Sequence, residues 1–538
     1  MRICWLTILF LNYSGHLIAI PPAIPSFQIQ AQSINDKPDR HPRKFYIALQ
    51  GDDDGPGTQL RPWKSINRLN SAILVPGDTV NFKDGETFEG TIKLTSTVAG
   101  SVGHWIIVGS EGKKPAQIQA RNNPAILLTG NKYLKIQNLV LLGNGRKNGN
   151  RDRGIFAQHC SNIFLTDLEV MGFQKSGVEI MDCSAIRLTK LTAHDNGAAG
   201  ISVTGNAFPA PSNFNIYIGH CKTFDNPGDP TELNNHSGNG IVAGLTRGLM
   251  IEYCVATNNG WDMPRKGNGP VGIWAWEADS VIIQHCISYK NRTSPGALDG
   301  GGFDLDGGVT NSIVQYNLSY ENEGYGFGIF QFSGASPWHH NTFRYNISFN
   351  DGNRTQNGAS VLWWNGSKDS SQFHDCYFYQ NLLYNSKGHV LGVVPDQYDC
   401  SNFYFINNIF VAKDELMSGG NLKNEKFFGN DWWSISSGFS LNGNHRFKNW
   451  AQQTGQEKIQ DTIVGSNIDP NIQDFSPSII DPEKLSHMKR FQLPANSPLR
   501  NKGINPKMYF TLQTGNLDFF GKKVPMGLSS EPGISEIR

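Results

Sequence analysis

A short apolar strand, a turn Asn and a strand-opening Gly recur about once every thirty residues through the middle of this chain. The rungs read IRLTKLTAHDNG (186–197), IYIGHCKTFDN (216–226), MIEYCVATNNG (250–260), VIIQHCISYKN (281–291) and SIVQYNLSYEN (312–322). The residues five before each turn Asn are Leu191, Cys221, Cys254, Cys286 and Asn317, in steps of 30, 33, 32 and 31. The turn residues themselves are Asn196, Asn226, Asn259, Asn291 and Asn322. A fixed strand and turn with a variable remainder is what a stacked solenoid requires. The strands alternate apolar with polar, the period of a half-buried β-strand, and no window of comparable strength shows helical periodicity. The fold class expected is all-β: a single-stranded right-handed parallel β-helix. A repeated Asn suits its turns because Asn tolerates the left-handed conformation and stacked amides bond along the axis.

A solenoid lengthens by adding coils, so 538 residues are compatible with one long domain. The formal net charge of +1 argues against a dedicated nucleic-acid binder. Residues 1–32 begin MRICWLTILFLNYSGHLIAI and read as a secretory signal peptide, which implies a secreted, extracellular or periplasmic protein. The run is interrupted by Asn12, Ser14 and His16, so a membrane anchor is the weaker reading. No later stretch is apolar enough to cross a bilayer, and a monomer is expected. Cys221, Cys254 and Cys286 fall at the inward ladder position, and Cys160 and Cys183 recur one coil apart. The cysteines therefore read as core stacks and not as a disulfide framework. The sequons at Asn317 and Asn346 coincide with the buried ladder.

Residues 44–90 read as a strand, a Gly/Asp loop, a short helix from about Ser65, then PGDTV leading into another strand. With Gly57, Pro62, Trp63, Pro76, Gly77 and Asp78 this segment resembles the opening of extracellular β-helix proteins of the pectin-lyase-like superfamily. FQLPANSPLRNKG (491–503) and LDFFGKKVP (517–525) resemble their closing segment. The resemblance implies an N-terminal cap with the first coils over 33–120, β-helix repeats over 121–415, and an irregular C-terminal cover and closing segment over 416–538. It implies a carbohydrate-active protein without choosing the activity, since the superfamily spans lyases, hydrolases, epimerases, esterases and adhesins.

The strands opening at Gly272 and Gly302 read GIWAW and GFDLD. With Ile273, Ala275, Phe303 and Leu305 inward, Trp274 and Trp276 face out beside Asp304 and Asp306. Aromatic faces stack on sugar rings, and paired carboxylates are the usual machinery of glycosidic cleavage. Spacings from turn Asn to strand Gly are 4, 14, 13, 11 and 4, so three consecutive coils carry long insertions. Insertions on one face of a solenoid build its binding groove. They bring His236, Trp261, Asp262, Arg265, Lys266, Arg292 and Asp299 toward the same place. Glu277 is a third candidate carboxylate. Glu321 and Glu323 are placed to reach a metal near Asp299. Of Trp363 and Trp364, at least one belongs to the core.

Three functions fit these residues. A glycoside hydrolase would use Asp304 and Asp306, with Glu277 near, and needs no cofactor. The substrate would lie on Trp274, Trp276, Trp261, His236, Arg265 and Lys266. A polysaccharide lyase or epimerase would need a basic residue and, in many relatives, calcium, for which Asp299, Asp304 and Asp306 are the candidate ligands. A non-catalytic glycan-binding surface protein would keep the Trp residues alone. The coils lack the polygalacturonase series Asn-Thr-Asp, Asp-Asp, Gly-His-Gly and Arg-x-Lys, so no catalytic residue is carried over from that family.

Overall fold

The computed structural model describes residues 41–354, 358–394, 399–474, 477–510, 512, 515–524 and 530–537. The signal-peptide expectation over 1–32 lies outside them. Thirty-four strands join into one parallel network. Each complete coil has three strands, so the chain turns through three sheets. One coil runs as Asn239–Glu252, bent at Leu245, then Val255–Thr257. The next runs as Val271–Gln284, then Ile287–Tyr289, and the one after as Gly301–Leu305, Ile313–Gln315 and Leu318–Tyr320. The long insertions immediately precede the first strand of a coil.

Inward residues stack in register along the axis. One column is Ile241, Ile273, Phe303, Phe327, Val361 and Leu391, all fully buried. Phe303 and Phe327 lie ring on ring at 5.4 Å. Each such side chain contributes about 1.5–3 kcal/mol of transfer free energy, so the core scales with the number of coils.

Two polar columns run beside it. Asn196, Asn226, Asn259, Asn291 and Asn322 each donate from Nδ2 to the next member at 2.9–3.2 Å, and the column ends on Asp351. A second column starts with Cys221, Cys254 and Cys286. It continues through Asn317, Asn346, Asn381, Asn408 and Asn430, and ends on Glu457. The ladder Asn is not itself left-handed, contrary to the expectation above. That conformation falls on the residue before it, at Asp195, Asp225, Asn258, Lys290, Glu321 and Asn350. Asn occupies the ladder because its amide satisfies the backbone N–H of one coil and its own Nδ2–H reaches the next. At the second column the left-handed residues are His220, Tyr253, His285, Tyr316 and Tyr345. Their rings stack at 5.1–5.6 Å, which offsets part of the conformational cost of a side chain in that region.

The N-terminal end of the core is closed by helix Ile66–Asn70, capped by Ser65, whose hydroxyl accepts from Arg68 N–H. Ile66 and Leu69 point into the core with Trp63. The far boundary differs from the expected 415. Strands continue at Met417–Gly419, Glu425–Phe428 and Asp431–Ser434, so the stack closes at Ser434. Helix Phe447–Thr454 then seals the end, with Trp450 against Trp432 at 5.2 Å. Residues beyond it run back along the outside. Leu485, Phe491, Leu493, Leu499, Phe519, Ile534 and Ile537 cover the outward Val255, Ile287, Leu318, Ile347, Leu382 and Ile409 of the third sheet. The cover thus takes the third sheet, while the first keeps an outward face of its own. Among the described residues no helix is long and apolar enough to cross a membrane, and the seven cysteines are free and buried, as core stacks require.

Candidate functional site

The outward face of the first sheet carries two rows. One contains Ser202, Val242, Trp274, Asp304, Gly328 and Leu362 in register. The other, two residues further along each strand, brings Gly244, Trp276, Asp306, Phe330 and Trp364 side by side. The register expected around Gly272 and Gly302 is therefore the one present. Trp363 is in the core, its Nε1 donating to Glu425 at 2.7 Å, and Trp364 is on the outer face.

Both indoles lean toward the preceding coil. Trp274 Nε1 donates to Asn239 Oδ1 at 3.0 Å, and the ring meets His236 edge-on at 4.8 Å. Trp276 lies over Gly244, where a Cβ would fall 2.1 Å from the indole, and it neighbours the exposed Phe208 at 6.4 Å. Only a residue without a side chain leaves that space. The indoles thus leave the coil of the carboxylates uncovered on their side.

Asp304 is 2 % exposed. Its Oδ2 accepts from the Tyr325 hydroxyl at 3.4 Å, and its Oδ1 has no hydrogen-bond partner. Burial, then Asp306 and Asp299, push its pKa well above the ordinary range. Gly328 keeps the carboxyl clear, since a Cβ there would stand 3.0 Å from Asp304 Cγ and closer still to the rings of Tyr325 and Phe330. Asp306 is half-buried and accepts from Gly307 N–H at 2.7 Å. Burial, with Asp299 and Glu277 adding, raises it to about 7.

Asp299 sits in the insertion 292–300 with a left-handed backbone, accepts from Gly269 N–H at 2.7 Å, and is raised to about 6 by burial. Arg265 pulls the other way on Asp299 and helps burial lower His236 to about 4. His236 is thus a neutral imidazole at pH 7. Glu277 stands at the bend of its strand with φ 41° and accepts from Ser336 N–H at 2.8 Å, and burial raises its pKa.

Other expected residues are turned elsewhere. Arg265 reaches back to Asn268 O at 3.1 Å, and Lys266 Nζ donates to Pro295 O at 2.6 Å. These contacts fasten the insertions to one another. Trp261 is 39 % exposed and lies under the Arg146 guanidinium at 5.8 Å, while Asp262 binds Arg146 and Lys147. The contacts of Lys266, Trp261 and Asp262 do not reach the Trp274–Asp304 face, whereas the charge of Arg265 is felt at Asp299 and His236. Glu323 pairs with Arg292 and Arg354, and Glu321 with Lys290 at 3.5 Å, so neither is aimed at Asp299. Among the described residues no group of three or more His, Cys, Asp or Glu side chains is arranged to hold a metal ion. Sequence reasoning missed Tyr325, Gly328 and Gly244. Each adjoins a site residue only through the register of neighbouring coils, although Tyr325 stands directly before the strand Gly326.

The fold defines a parallel β-helix of the pectin-lyase-like kind, with the Trp and Asp rows on the outward face of its first sheet. The chain belongs to the Pel9A-like, right-handed β-helix family, whose model matches residues 45–358. Among solved structures, XylC in complex with xylose is similar at a TM-score of 0.51 and 12% identity, covering 92% of this chain and 98% of that one. A mannuronic-acid-specific polysaccharide family 6 lyase from human gut microbiota matches at a TM-score of 0.50 and 14% identity, over 72% of this chain and 86% of that one. Pectate lyase Pel9A matches at 0.46 and 15% identity, over 93% and 97%. At these identities the likeness is one of fold. No curated protein sequence matches the chain.

Proposed function

We propose that this protein hydrolyses a polysaccharide at the Asp304–Asp306 pair. The observation that carries this reading is two carboxyl groups, one on an outward-facing strand and one just past its end, held in unlike environments beside the partly exposed Trp276. The family and the xylose complex of a neighbour agree with a saccharide ligand. A polymeric substrate fits the secretion expected from residues 1–32.

Asp304 is the general acid. Burial raises its pKa toward the protonated form that an acid needs, and its enclosed Oδ1 has no hydrogen-bond partner in the protein. Asp306, more exposed and ionising near 7, is the base that draws a proton from water. Residues two apart on a strand are separated by about 6.6 Å, near the lower edge of the roughly 6.5–9.5 Å that accommodates a water in inverting enzymes. Trp276, only partly buried, seats a neighbouring sugar, and Trp274 is packed beneath the face.

The test is a polysaccharide panel in which new reducing ends and the ultraviolet absorbance of unsaturated sugars are followed together, with and without chelator. Reducing ends without absorbance are expected, with kcat at least about a thousandfold lower in Asp304→Asn and Asp306→Asn. Absorbance abolished by chelator would replace hydrolysis by calcium-dependent elimination. Retention on a glycan without product would leave a binding protein.

A further inference from the structure

The charge pattern of this face restricts the sugars it can meet, given the hydrolytic reading above. Four carboxyl groups, Asp299, Asp304, Asp306 and Glu277, act on one another there. The rows around them are apolar or small: Val242, Trp274, Gly328 and Leu362 in one, Trp276, Phe330 and Trp364 in the other. No Lys or Arg stands in either row from Ser202 to Trp364. The nearby insertion cations are tied down. Arg265 bonds within its own loop and its charge is directed at Asp299, Lys266 holds Pro295, and Arg292 is paired with Glu323.

We infer that the glycan cleaved here is uncharged where it crosses the carboxylate pair: a neutral polysaccharide or oligosaccharide, and not a polyuronate. A uronate carboxylate brought onto this face would lose water, meet like charge and find no free cation in either row. It would also push Asp306 further toward its protonated form and remove the base. Elimination meets the same obstacle, because it needs that carboxylate neutralised before the adjacent C–H is acidic enough to lose its proton. A neutral sugar has no such cost and presents apolar C–H faces to the partly exposed Trp276 and Trp364.

The experiment uses matched substrates and two variants. Galactan, xylan, arabinan and a mixed-linkage β-glucan are compared with polygalacturonate and alginate, and with methyl-esterified polygalacturonate and carboxyl-reduced alginate. Cleavage of uncharged members is expected, with kcat/KM on any polyuronate lower by about a hundredfold or more. KM on the neutral substrate should be insensitive to added sodium chloride. Reducing ends from a polyuronate at a rate matching the neutral polymers, without absorbance, would overturn the neutral-substrate inference and leave hydrolysis standing. Absorbance from unsaturated product would overturn hydrolysis itself. If nothing is cleaved, affinity electrophoresis of the wild type and of Asp306→Asn in gels of the same polymers decides. Retardation by neutral gels, lost in Trp276→Ala, supports the inference. Retardation by the uronate gels alone, or by none, overturns it.

Discussion

The Tyr325 hydroxyl donates to Asp304 Oδ2 at 3.4 Å from the next coil, while the other oxygen of the same carboxyl has no partner at all. The bond favours the ionised form and is the one local influence that lowers Asp304, against burial, Asp306 and Asp299. Tyr325→Phe removes it without changing the packing of the ring. The pKa of Asp304 should then rise further and the acid should stay protonated to higher pH. The alkaline limb of kcat/KM is expected to move to higher pH, with a loss of about tenfold or less at the optimum. An unmoved limb would take Asp304 out of the acid role.

The acidic limb belongs to Asp306. Its pKa is raised to about 7, mainly by burial, so the base is protonated and idle below that pH. Activity should climb through about pH 7 and fall again where Asp304, also raised by burial, ionises. Because the two carboxyls interact, the limbs report apparent values of the pair. A pH–rate profile with its maximum near pH 5 would contradict the assignment.

Gly244 and Trp276 make a paired prediction. A Cβ at Gly244 would lie 2.1 Å from the indole, so Gly244→Ala must displace the platform. Both Gly244→Ala and Trp276→Ala are expected to raise KM, each lowering kcat/KM by about tenfold, with kcat largely kept. The two changes together should cost little more than either alone, because they act on one ring. Additive losses would mean that Trp276 does not lie against the substrate.

How much of this could be read from the chain follows from what each residue depends on. Ile273, Phe303 and their neighbours were legible because inward and outward positions alternate on every strand. The Asn column was legible because its members hold one offset from the strand before. The second column was legible as a position, five residues before each turn Asn, but not as a hydrogen-bonded chain, because it changes from Cys286 to Asn317 where both serve as acceptor for a backbone N–H. The last coil, after residue 415, escaped because the spacing shortens to 22 residues between Asn408 and Asn430. At the site, the strand residues Asp304 and Trp274 obey a period and could be placed. Trp261 lies in a long insertion, and its orientation is set by Arg146, far away in the chain and on another coil, which no local pattern encodes.

The Asn column gives a direct test of its own contribution. Asn259 accepts at Oδ1 from Asn226 N–H and Nδ2, and its Nδ2 donates to Asn291 and to Thr223 O, all fully buried. Asn259→Ala leaves these groups without partners in a site closed to water. The expected destabilisation is roughly 2–4 kcal/mol, read from denaturant unfolding. A loss below about 0.5 kcal/mol would show that the neighbouring coils close over the gap.

Asp351 stands where the column would place a sixth Asn, and it makes stability depend on pH. Its Oδ1 accepts from Asn322 N–H and Nδ2 at 2.9 Å, and its Oδ2 from Ser348 Oγ at 2.7 Å. Burial outweighs these bonds and raises its pKa to about 6. An unfolded Asp titrates near ~3.9, so the folded chain holds the proton more tightly. The stabilisation from that proton is complete below about pH 4 and is lost as pH rises through about 6. Asn has nearly the same shape, and the earlier Asn members already place their Nδ2 beside the equivalent Ser hydroxyl, as Asn322 does with Ser319 Oγ at 2.9 Å. Asp351→Asn should therefore leave stability at pH 4 almost unchanged. It should raise stability above pH 6 by on the order of 1–3 kcal/mol relative to wild type. The difference in unfolding free energy between variant and wild type, measured across this range, should grow with pH and then level off. A difference that shrinks with rising pH would mean that the ladder hydrogen bonds, and not burial, set the charge state of Asp351.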